Sequence, residues 1–468
     1  MRSPFRSCCV MLALVASSAA AANDLLRTYD AALRNDTTLR AAHEAREAAL
    51  QNEPKARAQL LPQAAASYSY TRNKADATVV VDTAGTATPI GRKIDGTDKL
   101  LAVTLTQPVF DLEAWYRLKQ ADEQTVLADL NYRSAEQNLL LRVAEAYFGM
   151  LRAEDLLRSA QAEKTALAKQ LDLANQHLQV GISSLIDVQE VQARYDLSVV
   201  SELEAQQSRS DAQANLDKLT RDTPAAKQEA RVRVVPLNEP PAPPAASTLA
   251  PLRDEIMLPS PAVGEVAQWI GHARLENPDV VAALLNYRIA ARGLDAAQAH
   301  RLPTVQAQVQ YNDSNTESGS FPYQLRGTSY GLNFKLPLLA GGGINAEVRQ
   351  NRALRDQRQA EYEGALREAE SSIRKAYSAL AIGASRMRAY KQALASSSSA
   401  LDAADTGLSI GTRSALDVLN ARQQRYEAER KYEQSRYDYL LAALRLKSAA
   451  GALRVDDLAR IDGLLEGY

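Results

Sequence analysis

Leu178-Gln179-Val180-Gly181-Ile182-Ser183-Ser184-Leu185-Ile186-Asp187-Val188 has a counterpart 230 positions later: Leu408-Ser409-Ile410-Gly411-Thr412-Arg413-Ser414-Ala415-Leu416-Asp417-Val418. Leu171-Asp172-Leu173-Ala174 and Leu401-Asp402-Ala403-Ala404 precede the two copies at the same spacing, as do Ala146-Tyr147 and Ala376-Tyr377. Arg194-Tyr195 matches Arg425-Tyr426 one residue later. A repeat this long is no solenoid unit; it makes one chain out of two equivalent halves. Each copy reads as a helix reversal. Glycine suits the left-handed residue that ends a helix, and Ser followed three residues later by Asp resembles the capping box that opens the next one.

Outward from these reversals the pattern stays double. From Leu112 to Val180 there is no proline and only Gly149 among the glycines, and Ile344 to Leu408 is similar. Ala, Glu, Gln, Arg and Leu favour helix there, and about 1.5 Å per residue lets such a stretch reach ~100 Å. Leu139, Val143, Ala146 and Met150 form a heptad-like seam fit for a coiled coil. Upstream, a helix over about Leu25 to Ala58 and another over Val263 to His300 each stop at Leu-Pro, at Leu61-Pro62 and Leu302-Pro303, because proline disfavours helix in the residue before it.

Four alternating runs follow those stops. Ala64, Ala66, Tyr68 and Tyr70 share one side of the first; Leu101, Val103 and Leu105 share one side of the second. The third carries Val305, Ala307, Val309 and Tyr311, and the fourth Tyr330, Leu332, Phe334 and Leu336, opposite small or polar residues. Strands of about ten residues, apolar on one side only, fit a lipid-facing barrel with a wet lumen; a half-buried sheet of a soluble domain has the same period. Polar segments at about Arg72 to Asp98 and Asp313 to Gly327 read as the loops joining each pair.

The ends set the compartment. Arg2 and Arg6, the apolar run Cys8 to Ala16 and the small residues Ala19 to Ala22 have the layout of a secretory leader. Cys8 and Cys9 are the only cysteines, so the exported chain has no disulfide and no thiolate metal site. Four histidines and no nucleophile motif argue against an enzyme, and no cofactor is expected. Removing 22 residues from 468 leaves 446, with 53 basic and 56 acidic side chains, which gives no support for nucleic-acid binding. The halves fall at residues 23–223 and 263–451, around a proline-rich connector at 224–262 and before a C-terminal tail at 452–468.

No later run is apolar enough for a transmembrane helix, so a membrane crossing has to use a closed barrel. Four strands cannot close one, since small natural barrels use about eight; three copies would supply twelve.

At this point the chain resembles the TolC family of outer-membrane efflux channels. The resemblance rests on Leu61-Pro62 and Leu302-Pro303, on Gln107-Pro108-Val109-Phe110-Asp111, on Leu336-Pro337-Leu338-Leu339-Ala340-Gly341-Gly342-Gly343, and on Asn277-Pro278, for which Asn35-Asp36 lacks the proline. It implies an α+β membrane protein: a homotrimer with a twelve-stranded barrel, four strands per chain, in outer-membrane lipid of a Gram-negative cell. Below the barrel would run a long α-helical coiled-coil periplasmic tunnel, docked to a periplasmic adaptor and an inner-membrane transporter. By position, Gln170, Asp187, Asp405 and Arg413 would form the periplasmic gate network, and Asp417 and Asn420 the pore constriction. Val180, Gly181, Ser184, Ile410, Gly411, Thr412 and Ser414 would be adaptor-contact tips. Leu408 stands where the family's type member has a latch tyrosine, and Asn420 where it has a second pore aspartate. One ring of Asp417 carboxylates would remain, cation-preferring, with a pKa raised by like-charge proximity. The residues by themselves also admit that Asp187 and Asp417 merely cap helices, or that the chain is a barrel-anchored coiled-coil surface protein or a soluble periplasmic protein.

Overall fold

A computed structural model describes residues 24–83, 86–181, 184–221, 249–253, 266–317 and 322–465. The leader at 1–22 lies outside the described residues, as does the connector at 224–262 apart from residues 249–253. The chain divides into two compact units: Glu44–Leu130 with Ala282–Gly364, and Met1–His43 with Asn131–Val281 and Ala365–Tyr468.

The first half runs α1 (Asp24–Asn35), α2 (Thr37–Leu50), α3 (Asn52–Ala58), β1 (Gln63–Thr83), β2 (Thr86–Phe110), α4 (Leu112–Gln179) and α5 (Leu185–Thr220). The second runs α6 (Val266–Glu276), α7 (Pro278–Ala299), β3 (Thr304–Thr316), β4 (Tyr323–Lys335), α8 (Gly343–Ser409) and α9 (Ala415–Ala449), followed by α10 (Val455–Asp462). The long helices are as the sequence predicts, at 68 residues for α4 and 67 for α8. The upstream helices are not continuous. Asp36 interrupts one and accepts the Leu39 amide at 2.7 Å as the cap of α2. Asn277 interrupts the other, its Oδ1 accepting from Asp279 and Val280 at 2.9 and 3.1 Å. The counterpart of Asn277-Pro278 is thus Asp36-Thr37, one residue on from the predicted Asn35-Asp36, because the capping carboxylate and amide are what correspond.

In the first unit the strands form one antiparallel sheet in the order β1-β2-β3-β4, whose outer edges β1 and β4 have no strand partner among the described residues. The register stacks Ala64, Leu105, Val309 and Tyr330 in one row across all four strands, and Ala66, Val103, Tyr311 and Thr328 in the next. Ala65, Thr104, Gln310 and Ser329 line up in the intervening row. Directly opposed residues share a face, so the four alternations found along the chain belong to a single apolar surface.

The segments read as loops are mostly strand. Pairing continues to Thr83↔Thr86 in the first hairpin, and β3 and β4 pair to Thr316↔Tyr323. Arg72 joins Asp95 across the first hairpin at 3.0 Å, and the Asn73 amide donates to Asp98 at 2.6 Å. Strict alternation, the signal used to find strands, is lost there while β-favouring Thr and Val remain.

Where strands meet helices, His300 sits between two carboxylates. Its Nε2 lies 2.6 Å from Glu113 of α4 and its Nδ1 2.8 Å from Glu347 of α8, and Arg117 also donates to Glu113. Burial works against charging the imidazole, but hydrogen bonds to both carboxylates raise its pKa. Glu113, opposed likewise by burial, is lowered by bonds from His300 and Arg117. The histidine contribution to stability is full below the ordinary pKa of about 6.5 and is lost as pH rises through the raised value; that of Glu113 is present above about 4.5 and is lost in acid. The melting-temperature gap between the parent and His300→Gln should therefore be widest near pH 5–6 and narrow towards pH 9. A gap independent of pH would show that the imidazole is a neutral spacer.

The second unit holds the main core. Leu139, Val143 and Met150 of the seam are fully buried, and Tyr147 and Phe148 of α4 pack with Tyr437, Leu440 and Leu444 of α9. Tyr147 donates to the Ala250 carbonyl at 3.1 Å, and buried Arg436 donates to the carbonyls of Leu252 and Arg253. Residues 249–253 of the predicted connector are therefore part of this core. So is the C-terminal segment. Leu458, Ile461 and Leu465 are buried, Leu252 bridges Leu465, and Asp462 accepts the Leu25 amide at 2.9 Å.

Candidate functional site: the two helix reversals

Both reversals are built from the same bonds. Gly181 and Gly411 have φ of 79° and 78°, a left-handed conformation that costs glycine little. At the second, Thr412 and Gly411 return their amides to the carbonyls of Gly407 and Leu408, at 2.8 and 3.1 Å. These are the two bonds of a Schellman motif closing α8. Gly181 bonds to Leu178 at 3.1 Å in the same way; Ile182 and Ser183 lie outside the described residues.

The restart is a capping box in each case. Asp187 accepts from the Ser184 amide and hydroxyl at 2.9 and 2.8 Å, and its amide donates to the hydroxyl at 3.1 Å. For Asp417 and Ser414 the three distances are 2.9, 2.9 and 3.2 Å. Hydrogen bonds from Ser414 and the positive charge of Arg413 hold the Asp417 carboxyl below the usual carboxylate range despite partial desolvation. The rise expected from like charges concerns a ring of three copies; within one chain the capping amide and hydroxyl stabilise the charged form.

The predicted network residues are placed as follows. Gln170 is half-buried on α4. Asp405 on α8 faces Arg422 of α9 at 3.7 Å, a loose pair inside its own hairpin. Arg413 lies over Gly407, where an added Cβ would come within 2.5 Å of the arginine Cγ. Val180 and Ile410 are exposed beside their glycines, and Thr412 also donates its hydroxyl to the Gly407 carbonyl at 3.2 Å. Asn420 accepts a hydrogen bond from Arg194 of α5 at 2.8 Å, while the other guanidinium nitrogen donates to Gln423 at 3.1 Å.

Arg194 is thus a clasp between the two hairpins that sequence reasoning left without a role. It had been visible only as half of the repeated Arg-Tyr pair. Beneath it Leu167, Ala174, Val191 and Leu419 form a small apolar core shared by both hairpins. Lys164–Glu202 at 2.7 Å and Arg430–Glu163 at 2.8 Å tie the same helices farther along.

The family described as Outer membrane efflux protein matches residues 28–220 and 269–452, one block in each half. The chain belongs to the outer membrane efflux protein family. Outer membrane protein TolC of Escherichia coli (strain K12) is 29% identical over 462 residues, spanning 96% of this chain and 86% of that protein. Alkaline protease secretion protein AprF of Pseudomonas aeruginosa is 29% identical over 435 residues, spanning 93% of this chain and 85% of that protein. The Campylobacter jejuni CmeC outer membrane channel has the same fold, with a TM-score of 0.75 at 16% identity over 100% of this chain and 98% of that one. This outer membrane efflux protein is a channel subunit of the bacterial outer membrane and not an enzyme. Among its described residues no helix is long and apolar enough to cross a membrane.

Proposed function

We propose that three copies close a twelve-stranded barrel in outer-membrane lipid above a helical periplasmic tunnel. The paired reversals gate its inner end and receive a periplasmic adaptor that links the channel to an inner-membrane transporter for efflux or type I secretion. The observation that carries this reading is a four-stranded sheet apolar on one face, with both edges open, in a chain whose described helices cannot span lipid. In the gate, Asp417 supplies one carboxylate per copy at the constriction, while Arg413, Asp187, Asp405 and Gln170 act as its surrounding network. Asn420 contributes through its bond to Arg194, which couples the two hairpins. Adaptor contact is supported at the tips by exposed Val180 and Ile410 next to the glycine turns and the Ser184 and Ser414 caps.

The test is mass determination of the detergent-purified protein followed by planar-bilayer recording. A trimer is expected, with cation preference that weakens in Asp417→Asn. Asparagine keeps the shape needed for the cap, so the change isolates the charge. The capping bonds lower its pKa in each copy while like charges from the other copies oppose that shift, so Asp417 should be ionised, and selectivity present, at neutral pH. Unchanged selectivity in Asp417→Asn would remove that residue from the constriction.

A further inference from the structure

Between Leu61-Pro62 and Leu302-Pro303 the repeat offset is 241, whereas between Gln107-Pro108 and Leu336-Pro337 it is 229. The sheet obeys both values. Paired residue numbers add to 169 in the β1–β2 hairpin, as in Gln63↔Thr106, and to 639 in the β3–β4 hairpin, as in Thr304↔Lys335. Shifting β1 by 241 and β2 by 229 converts one register into the other without remainder. The two hairpins are therefore equivalent rung for rung, and the β2–β3 contact is a sample of how one hairpin joins the next.

We infer that β4 of one copy pairs with β1 of a second copy in the register obtained by carrying the β2–β3 contact forward one hairpin, with Lys335 opposite Ser67 and Phe334 opposite Tyr68. This deepens the barrel reading above and rests on it. Pairs in the β2–β3 contact add to 414, as in Thr106↔Gln308; adding 229 to the β2 number and subtracting 241 from the β3 number gives pairs adding to 402. The contact is antiparallel when all copies point the same way in the membrane, and it joins unlike edges head to tail, the arrangement that closes rings.

Two features agree with this register, and a third follows from it. Phe334 and Leu332 meet Tyr68 and Tyr70 of the partner subunit on the apolar face, whereas a slip of one residue would turn the tyrosines into the lumen. Arg326 falls opposite Asp76 of the partner subunit, beside its present carboxylate Asp313 at 3.0 Å; a slip of two would bring it to a lysine or a threonine instead. The β2–β3 contact shifts register between Pro108 and Phe110 to give Phe110↔Val305, and the equivalent shift past Pro337 brings Leu339 opposite Ala64 of the partner subunit. Leu338 and Leu339 are 88% and 93% exposed in the single chain, against 62% and 46% for Val109 and Phe110, which already have β3 beside them. An edge with this much uncovered apolar surface calls for a strand partner.

Cross-linking tests the register. The only natural cysteines are Cys8 and Cys9, so engineered thiols report alone once the leader is removed. Ser67→Cys/Lys335→Cys and Ser69→Cys/Asn333→Cys place thiols on directly opposed residues, about 4.5–5.5 Å apart at Cα, within disulfide reach. Ser69→Cys/Lys335→Cys and Ser67→Cys/Asn333→Cys use the same positions but lie on diagonals of about 7–8 Å. After mild oxidation of the purified full-length protein, the first two should give covalent oligomers in denaturing gels at least tenfold more abundantly than the last two. Preferential cross-linking of a diagonal pair, or equal yields from all four, in a protein that is trimeric by mass would overturn the register and leave the barrel standing. A monomeric mass before oxidation would overturn both.

Discussion

Gly451→Ala is expected to destabilise the helical unit by about 2–5 kcal/mol, combining left-handed strain with overpacking. Gly451 has a φ of 74° and ends α9 with the same double bond seen at the tip: its amide returns to Ser448 and that of Ala452 to Lys447, both at 2.9 Å. Its surroundings differ from the tip. A Cβ here would penetrate the Glu276 carbonyl oxygen and lie 2.6 Å from the carbonyl carbon and 3.0 Å from the Asn277 Cα. These are backbone atoms at the joint between α6 and α7, where Asn277 already caps α7 and donates to the Ala449 carbonyl at 2.8 Å. Neither side can yield without breaking those bonds. Gly411→Ala is the internal control, since its φ of 78° is equally left-handed but nothing lies within 4 Å of the added Cβ. It should cost about 1–2 kcal/mol. Thermal or denaturant unfolding of both variants decides the matter: equal losses would mean that the close approach at Glu276 contributes nothing.

Asp36→Ala should cost about 2–4 kcal/mol, from a lost cap and an abandoned ion pair. The buried Asp36 carboxylate caps α2 through Leu39 and receives Arg142 of α4 in a two-pronged contact at 2.9 and 3.0 Å. Desolvation opposes its ionisation, but the bonds from Arg142 and the Leu39 amide prevail and lower its pKa. A lowered pKa gives stability that is present above the ordinary value near 3.8 and is lost as pH falls through the lowered one. Asp36→Asn copies the residue that caps α7 in the other half, so it should keep the cap and lose only the charge, at about 1–2 kcal/mol. Its deficit relative to the parent should shrink below about pH 3.5. A deficit that persists unchanged in acid would assign the whole effect to packing.

How much of this was legible beforehand depended on the range of the interactions. The reversals were readable because a Gly C-cap and a Ser-x-x-Asp box are closed within a few residues, and both appear as bonds in the structure. The sheet's apolar face was readable where apolar and polar residues alternate, and unreadable beyond Arg72, where strict alternation is lost although the hairpin pairing continues. The break at Asp36 was hidden because one carboxylate ends a helix only when its cap is satisfied, and half of its bonding comes from Arg142, 106 residues away. The C-terminal segment looked unassigned because eight residues of α10 are too few for a periodicity argument, although Leu458 and Ile461 share a face. Arg194 and Asn420 lie 226 residues apart, and no local pattern announces such a pair.

The contact between Arg413 and Gly407 couples two positions of the tip. At the corresponding positions of the first hairpin stand Ser183 and His177, so the two halves have diverged at both sites. The arginine stem occupies the volume that any side chain at 407 would need, the near-overlap falling on its Cγ and Cβ and not on its mobile end. A side chain at 407 and the arginine at 413 in its present conformation therefore exclude one another. Gly407→Ala should cost more with Arg413 present than in an Arg413→Ser background, a coupling set by a single missing methyl group.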